Sequence, residues 1–302
     1  ATCFVNFHNT GIGVAARAVL AKNGVETVSL HPACCGMPKL ELGDLQAVSD
    51  AAHKVSAELL PWVDKGYDII ALTPSCALML KFEWPLLVPA ESPDRAAVEL
   101  LSKATFDASE YIVDIARKQG LVPGLQNVDG GIAIHLACHA RAQNMGQKGA
   151  ELLRLIPGAD LTVIERCSGH AGTFGVKKQF HQQAMKIGKP VFKAMSTMKD
   201  GSAPDVISSD CPLGGHHIAG LKGLKASLNQ TLFQKGIPHL HSGAIVERGF
   251  GELSAGKTGA AHAIAARGAA HVDHGIAHPL GTGAHDLLGF HQPQGHGIHQ
   301  RV

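Results

Sequence analysis

The residues in this chain best suited to chemistry are its seven cysteines, Cys3, Cys34, Cys35, Cys76, Cys138, Cys167 and Cys211. Two of them are adjacent, in His31-Pro32-Ala33-Cys34-Cys35-Gly36-Met37-Pro38, where a glycine follows the pair and prolines flank it. Vicinal cysteines can hardly bridge each other without straining the intervening peptide, whereas two thiolates side by side grip a soft metal or an iron-sulfur cluster well. An odd number of widely spaced cysteines does not suit a small disulfide scaffold and fits ligands in a reducing compartment better.

The seven fall into one repeated frame. Cys34-Cys35-Gly36 answers to Cys167-Ser168-Gly169, Cys76-Ala77 to Cys211-Pro212, and Cys3 to Cys138, with Gly11 and Gly146 each eight residues after the first cysteine of its half. Cys3, Cys34, Cys35 and Cys76 supply four thiolates, the usual complement of a 4Fe-4S cluster, although a tetrahedral zinc site suits four sulfurs equally. Cys138, Cys167 and Cys211 supply three and need a fourth donor. His139, His170, His216 and His217 lie near them in sequence, and imidazole replaces thiolate in Rieske-type centres and in Cys3His zinc sites. Arg141, Lys177 and Lys178 could offset the charge of a thiolate cluster, but solvated surface accounts for each of them as well.

Two further motifs compete for attention. Asn9-Thr10-Gly11-Ile12-Gly13-Val14-Ala15-Ala16 has the outward form of a dinucleotide fingerprint, yet His31 and Pro32 stand where a ribose-binding acid is expected. Glycines opening a helix beside a metal site explain it better. Gly251-Glu252-Leu253-Ser254-Ala255-Gly256-Lys257-Thr258 matches the phosphate-cradling loop, but too little chain follows to build the parallel sheet such a loop needs.

The elements that must position the cysteines read as α/β. Thr2 to Phe7 and Val25 to Leu30 are strand-like, Gly11 to Lys22 is helix-like, and Gly43-Asp44 opens a long amphipathic helix to about Lys65. Tyr67 to Thr73 is a buried-type strand leading to Cys76, and a helical stretch runs from about Ser92 to Gln119. After the loop Leu121 to Gly130 the pattern restarts: strand Gly131 to Ala137, helix Lys148 to Leu155, strand Leu161 to Glu165 and strand Asp205 to Ser208. Cysteines then cluster just after the C-terminal ends of strands, where open α/β sheets bind ligands. Cys3 joins that pattern if most of its strand lies upstream of Ala1.

We therefore expect two β-α-β-containing repeats related by pseudo-twofold symmetry, over residues 1–130 and 131–240, and a Gly/Ala/His-rich tail over 241–302 that is weakly ordered. Ten of the 19 histidines lie at or beyond His239, and the tail has no cysteine. A net charge of +2 with scattered basic residues argues against a nucleic-acid partner. No stretch of about 20 residues is apolar enough to span a bilayer, and the N-terminus shows no signal peptide, so a cytoplasmic location is expected.

The frame of Cys3, about thirty residues, Cys34-Cys35-Gly36, about forty residues, Cys76, twice over, resembles the CCG (cysteine-rich) domain family. That family includes the catalytic subunit of heterodisulfide reductase, the corresponding subunit of anaerobic glycerol-3-phosphate dehydrogenase, and the iron-sulfur subunits of glycolate and lactate oxidases. The run Cys167-Ser168-Gly169-His170-Ala171-Gly172-Thr173-Phe174-Gly175-Val176-Lys177-Lys178 is especially similar to the second half of the glycerol-3-phosphate dehydrogenase subunit. This chain departs from the full pattern at Met79 and Gly214, where each half of the family ends in Cys-x-x-Cys, and at Ser168. It also lacks the tight Cys-x-x-Cys-x-x-Cys run of a ferredoxin-like segment.

The resemblance implies an iron-sulfur subunit that passes electrons from a flavin-containing dehydrogenase, of glycerol 3-phosphate or 2-hydroxy acid type, towards a ferredoxin-like or quinone-linked membrane acceptor. Such a chain would sit in the cytoplasm or on the inner face of the membrane. It implies a 4Fe-4S cluster in the first repeat, with zinc an alternative in the second. Cluster-based disulfide reduction and a structural zinc module are the other readings.

Overall fold

The computed structural model describes residues 2–126, 130–220 and 239–241. The tail beyond residue 241, and with it the match at Gly251 to Thr258, lies outside the described residues.

The first half runs α1 (Cys3–Phe7), α2 (Thr10–Lys22), α3 (Met37–Leu40), α4 (Leu45–Val63), β1 (Ile69–Ala71) and α5 (Pro74–Leu78). A π-helical turn, Met79–Glu83, then leads into α6 (Trp84–Leu87), α7 (Arg95–Ala104), β2 (Thr105–Asp107) and α8 (Ala108–Lys118). The second half runs β3 (Gly131–His135), α9 (Cys138–Ala142), α10 (Lys148–Leu153), β4 (Asp160–Ile164), α11 (His181–Ala194), β5 (Val206–Ser209), α12 (Pro212–Gly220) and β6 (His239–His241).

The architecture is α/β with two small parallel sheets. In the second half the order is β4-β3-β5-β6, with Ile132 opposite both Leu161 and Val206. Residues alternate along β3: Ile132 and Ile134 enter a core with Val19, Ile112 and Leu153, while Ala133 enters another with Ile164, Phe192 and Ile207. Both faces of this strand are thus covered, as a parallel sheet requires. The first of these cores draws on α2 and α8 as well as on β3 and α10, so the two halves share buried apolar surface.

The first-half sheet is only the parallel pair β1-β2, with Ile70 opposite Phe106. Three readings of the sequence change here. Thr2 to Phe7 is helical from Cys3 on, because the Thr2 hydroxyl caps the turn by accepting from the Val5 amide at 3.4 Å. Val25 to Leu30 forms neither helix nor strand. Its counterpart β4 pairs with β3, whereas Cys3–Phe7 is helical, so among the described residues Val25 to Leu30 have no strand beside them. The helical stretch from Ser92 to Gln119 is broken by β2: Asp107 starts α8 with a capping box, its carboxylate accepting from the Ser109 amide while Glu110 accepts from the Asp107 amide.

The other expected elements hold. Asp44 opens α4 by accepting from the Ala47 amide at 3.2 Å, and Val48, Ala52, Val55 and Leu59 bury one face at helical spacing. That face packs against the Cys34-Cys35-Gly36 turn, in a core with Met37, Met79 and Trp84. Among the described residues no helix is long and apolar enough to cross a membrane.

Candidate metal centre

Six of the seven cysteines stand at or beside the start of a helix, and Cys167 lies in the loop that follows β4. Cys3 is the first residue of α1 and Cys138 the first of α9, so the lead cysteines of the two halves take the same place in matching five-residue helices. Cys34 and Cys35 precede Gly36, the residue that opens α3, and Cys211 immediately precedes Pro212, the first residue of α12. Cys76 lies one step further in, within α5 and five residues beyond β1.

The glycines after both cysteine turns are required by the backbone. Gly36 has φ +86° and would place a β-carbon 3.5 Å from Val48 and Ala51 of α4. Gly169 has φ +78°, and a β-carbon there would collide with the Ala184 carbonyl of α11. A left-handed turn pressed against a helix leaves glycine as the residue that fits.

In the first half all four thiols meet. The Cys35 thiol donates to Cys76 Sγ at 3.4 Å, and Cys34 accepts from both Cys3 and Cys35. His31 Nε2 lies 3.4 Å from Cys3 Sγ. The Trp84 indole N–H donates to the Cys35 carbonyl at 3.1 Å and holds the turn from beneath. Hydrogen bonds from neighbouring thiols push Cys34 and Cys76 down from the ordinary thiol range; donating those bonds, together with burial, pushes Cys3 and Cys35 up. A bound metal would displace the protons these thiols share.

Three of these thiols, Cys3, Cys35 and Cys76, line a cavity of about 120 Å³ walled by Val28, Leu30 and Leu59. Among the described residues no three His, Cys, Asp or Glu side chains are disposed about a single ion. A 4Fe-4S cluster requires one thiolate per iron rather than convergence on one ion. Four sulfurs linked in a chain of contacts beside an apolar cavity match that requirement in number and chemical type.

The second half is more open. Cys138 and Cys167 are exposed, Cys211 partly so, and Cys138 lies close enough to both for their charges to interact. Burial pushes the Cys211 thiol up to about 11. Backbone amides meet two of the sulfurs: Gly169 N–H donates to Cys167 Sγ at 3.3 Å and Gly214 N–H to Cys211 Sγ at 3.4 Å. Ser168 is buried, and a β-carbon on Gly214 would lie 3.4 Å from its hydroxyl. Met79, the other departure from the cysteine pattern, is wholly buried in the core beneath Cys35.

The candidate histidines divide. His139, His170 and His217 lie near one another on the second half, and burial lowers all three, His170 to about 4. The His170 and His217 ring centroids are 6.3 Å apart, and His170 Nε2 is buried with no hydrogen-bond partner. The His216 ring lies 5.6 Å from that of Phe4, next to Cys3 on α1. Arg141 pairs with Glu165 at 3.4 Å, on an exposed surface. The Gly11-to-Ala16 segment forms the first turns of α2, with Ile12, Ala15 and Ala16 buried, which is the structural role the sequence favoured for it.

Some contributors could not be picked out of the sequence. His135, at the end of β3, is 1% exposed and uses both ring nitrogens: Nε2–H donates to the Arg166 carbonyl at 2.8 Å and Nδ1 accepts from the Ser209 hydroxyl at 2.9 Å. The carbonyl can only accept, which fixes the neutral tautomer. Ser209 in turn accepts from the Cys211 amide at 3.3 Å, so this ring ties together the segments leading to Cys167 and Cys211. The one available signal was a polar residue within an otherwise apolar strand. His181, which faces His217 at 6.5 Å, stands outside the cysteine frame.

The chain matches the cysteine-rich domain family, CCG, over residues 1–81 and 132–219. It is 28% identical over 218 residues to a subunit of the anaerobic glycerol-3-phosphate dehydrogenase of Escherichia coli (strain K12), covering 69% of this chain and 51% of that one. A subunit of the fumarate reductase (CoM/CoB) of Methanothermobacter marburgensis is 28% identical over 222 residues, covering 72% of this chain and 40% of that one. Lactate utilization protein A of Bacillus cereus (strain G9842) is 28% identical over 218 residues, covering 70% of this chain and 84% of that one. The chain spans about half the length or less of the first two relatives. Each matched segment contains one cysteine-glycine turn together with the cysteines before and after it, and on that evidence the chain belongs to the CCG cysteine-rich domain family.

Proposed function

We propose that this chain is an iron-sulfur electron-transfer subunit of a multi-subunit oxidoreductase. The observation that carries this reading is the contact network of Cys3, Cys34, Cys35 and Cys76, four thiols brought together from α1, the Gly36 turn and α5. Cys3, Cys34, Cys35 and Cys76 would hold a 4Fe-4S cluster, which when bound supplies a one-electron carrier. Cys138, Cys167 and Cys211 would form a second site, with His139, His170 or His217 as neighbouring imidazoles. Trp84 and Gly36 keep the first ligand turn in place, and His135 does the same for the second.

Two of the relatives are named as subunits of glycerol-3-phosphate dehydrogenase and fumarate reductase, and the third is named for lactate utilization. By analogy, the donor is a flavin-containing dehydrogenase acting on glycerol 3-phosphate or a 2-hydroxy acid. The acceptor is ferredoxin-like or quinone-linked, and the complex works in the cytoplasm or on the inner face of the membrane. The repeats, in this reading, are residues 1–130 and 131–240.

Anaerobic purification followed by iron and sulfide analysis and EPR tests the proposal. A brown protein with labile sulfide and an EPR signal on reduction is expected. A colourless protein carrying zinc and no sulfide would overturn it in favour of a structural zinc module.

One observation favours a second reading, thiol chemistry at a cluster. Cys34 is exposed while its partners Cys35 and Cys76 are withdrawn, and one relative carries CoM/CoB in its name. Disulfide reductase activity with an artificial donor, lost in Cys35→Ser, would favour that reading over simple relay.

A further inference from the structure

The two positions at which the second half departs from the cysteine pattern are neighbours. Ser168 stands where the first half has Cys35, and Gly214 stands three residues after Cys211, where the family pattern has its last cysteine. A β-carbon on Gly214 would lie 3.4 Å from Ser168 Oγ and 3.6 Å from both Cys211 Cβ and His135 Cε1. In the first half the matching place is filled by the innermost thiol: Cys35 is 7% exposed and touches Cys76 Sγ at 3.4 Å. Ser168 is buried to the same degree, at 9%. Both substitutions therefore remove thiolates from one corner of the second half, whose remaining thiols are Cys138, Cys167 and Cys211, with Cys138 within charge-interaction range of the other two.

A hydroxyl is a hard, weak ligand beside a thiolate, and a glycine offers only its amide, which is already donated to Cys211 Sγ. An iron at that corner has no soft protein donor. Resting on the iron-sulfur reading above, we propose that the second half holds a cluster with three protein-bound irons and one exchangeable iron at the Ser168–Gly214 corner. Loss of that iron as Fe²⁺ converts a 4Fe-4S cluster of charge 2+ into a 3Fe-4S cluster of charge zero, with all four sulfides retained. Removal of one electron by ferricyanide then gives the 3Fe-4S cluster of charge 1+, with ferrocyanide as the other product. The corner is an iron position without a protein thiolate, in a half whose Cys138 and Cys167 are exposed.

The test uses the anaerobically purified full chain. Ferricyanide should release one ferrous iron per second-half cluster and produce the near-isotropic EPR signal of an oxidised three-iron cluster. Added ferrous iron and a thiol reductant should reverse both. Ser168→Cys should abolish the signal and the iron release while sulfide content stays unchanged. Gly214→Cys, which fills the same corner from α12, should do the same should Ser168→Cys fold poorly. Ser168→Ala should leave the signal intact, since the hydroxyl is not the ligand. The proposal is overturned if iron- and sulfide-containing wild type gives no three-iron signal, or if the signal persists in both cysteine variants. It is also overturned if Ser168→Ala abolishes the signal, or if the signal survives Cys138→Ser and vanishes in Cys34→Ser. Absence of sulfide from the wild type would instead remove the iron-sulfur reading itself, and this inference with it.

Discussion

The imidazole of His135 and the hydroxyl of Ser209 meet at 2.9 Å across neighbouring parallel strands β3 and β5, wholly inside the protein. Through Arg166 and the Cys211 amide, that single contact spans the approaches to two cysteines. His135→Ala leaves the Ser209 hydroxyl and the Arg166 carbonyl without their partner and opens a cavity beside Gly214. We expect a loss of about 2–4 kcal/mol in denaturant unfolding, with second-half metal content falling more than first-half content. An unchanged metal content in a folded variant would show that the ring supports the strands alone.

The two ligand-turn glycines differ in what surrounds them, and the difference is measurable. Gly36→Ala meets side chains of α4 at ordinary contact distance, so the expected destabilisation is the left-handed backbone strain of about 1–2 kcal/mol. Gly169→Ala drives its methyl into the Ala184 carbonyl, a backbone atom of α11 that cannot turn aside. Thermal unfolding should show Gly169→Ala to be the more damaging by about 2 kcal/mol or more; equal effects would contradict this packing.

Asp107 is buried, accepts from the Ser109 amide, and has its carboxyl pushed up to about 6, chiefly by burial. An acid raised in the fold binds its proton more tightly there than in the unfolded chain. Its contribution to stability is therefore complete below about pH 3.8 and is lost as pH rises through about 6. The full swing is about 3 kcal/mol. Asp107→Asn retains a capping side chain but cannot ionise. The stability difference between wild type and variant, followed by urea unfolding from pH 4 to 7, should move against wild type by about that amount. A flat difference would refute the assignment.

The first half has four contacting thiols and the second has three that do not touch as closely. Cys34→Ala should therefore remove more iron per chain than Cys167→Ala when both are purified anaerobically. The reverse order would place the better-formed cluster in the second half.

Much of the site was legible because its signals are local. The cysteine-glycine sequences mark the two turns, and the steric demand at Gly36 and Gly169 matches the glycine that follows each one. Asp44 before an apolar helical pattern located α4, and the apolar run from Gly131 located β3. The failures have a common cause. Thr2 to Phe7 is an apolar run that suits a strand, yet a strand exists only if another lies beside it, and a threonine cap was sufficient to turn these residues into α1. Val25 to Leu30 fails for the same reason, and β2 exists only because β1 runs alongside it.

By itself, then, the sequence determined the duplicated cysteine frame, the α/β class and the place of the two cysteine-glycine turns, all set by residue type and spacing along the chain. Only the tertiary structure decided which groups meet. It joined Cys35 to Cys76, brought His216 to Phe4, placed His135 behind Cys211, and put Ser168 against Gly214. Those contacts join residues 41 to 212 positions apart, apart from the step from Ser209 to Cys211. They follow from how α1, α5, β3, β5 and α12 pack, and spacing along the chain does not encode that packing.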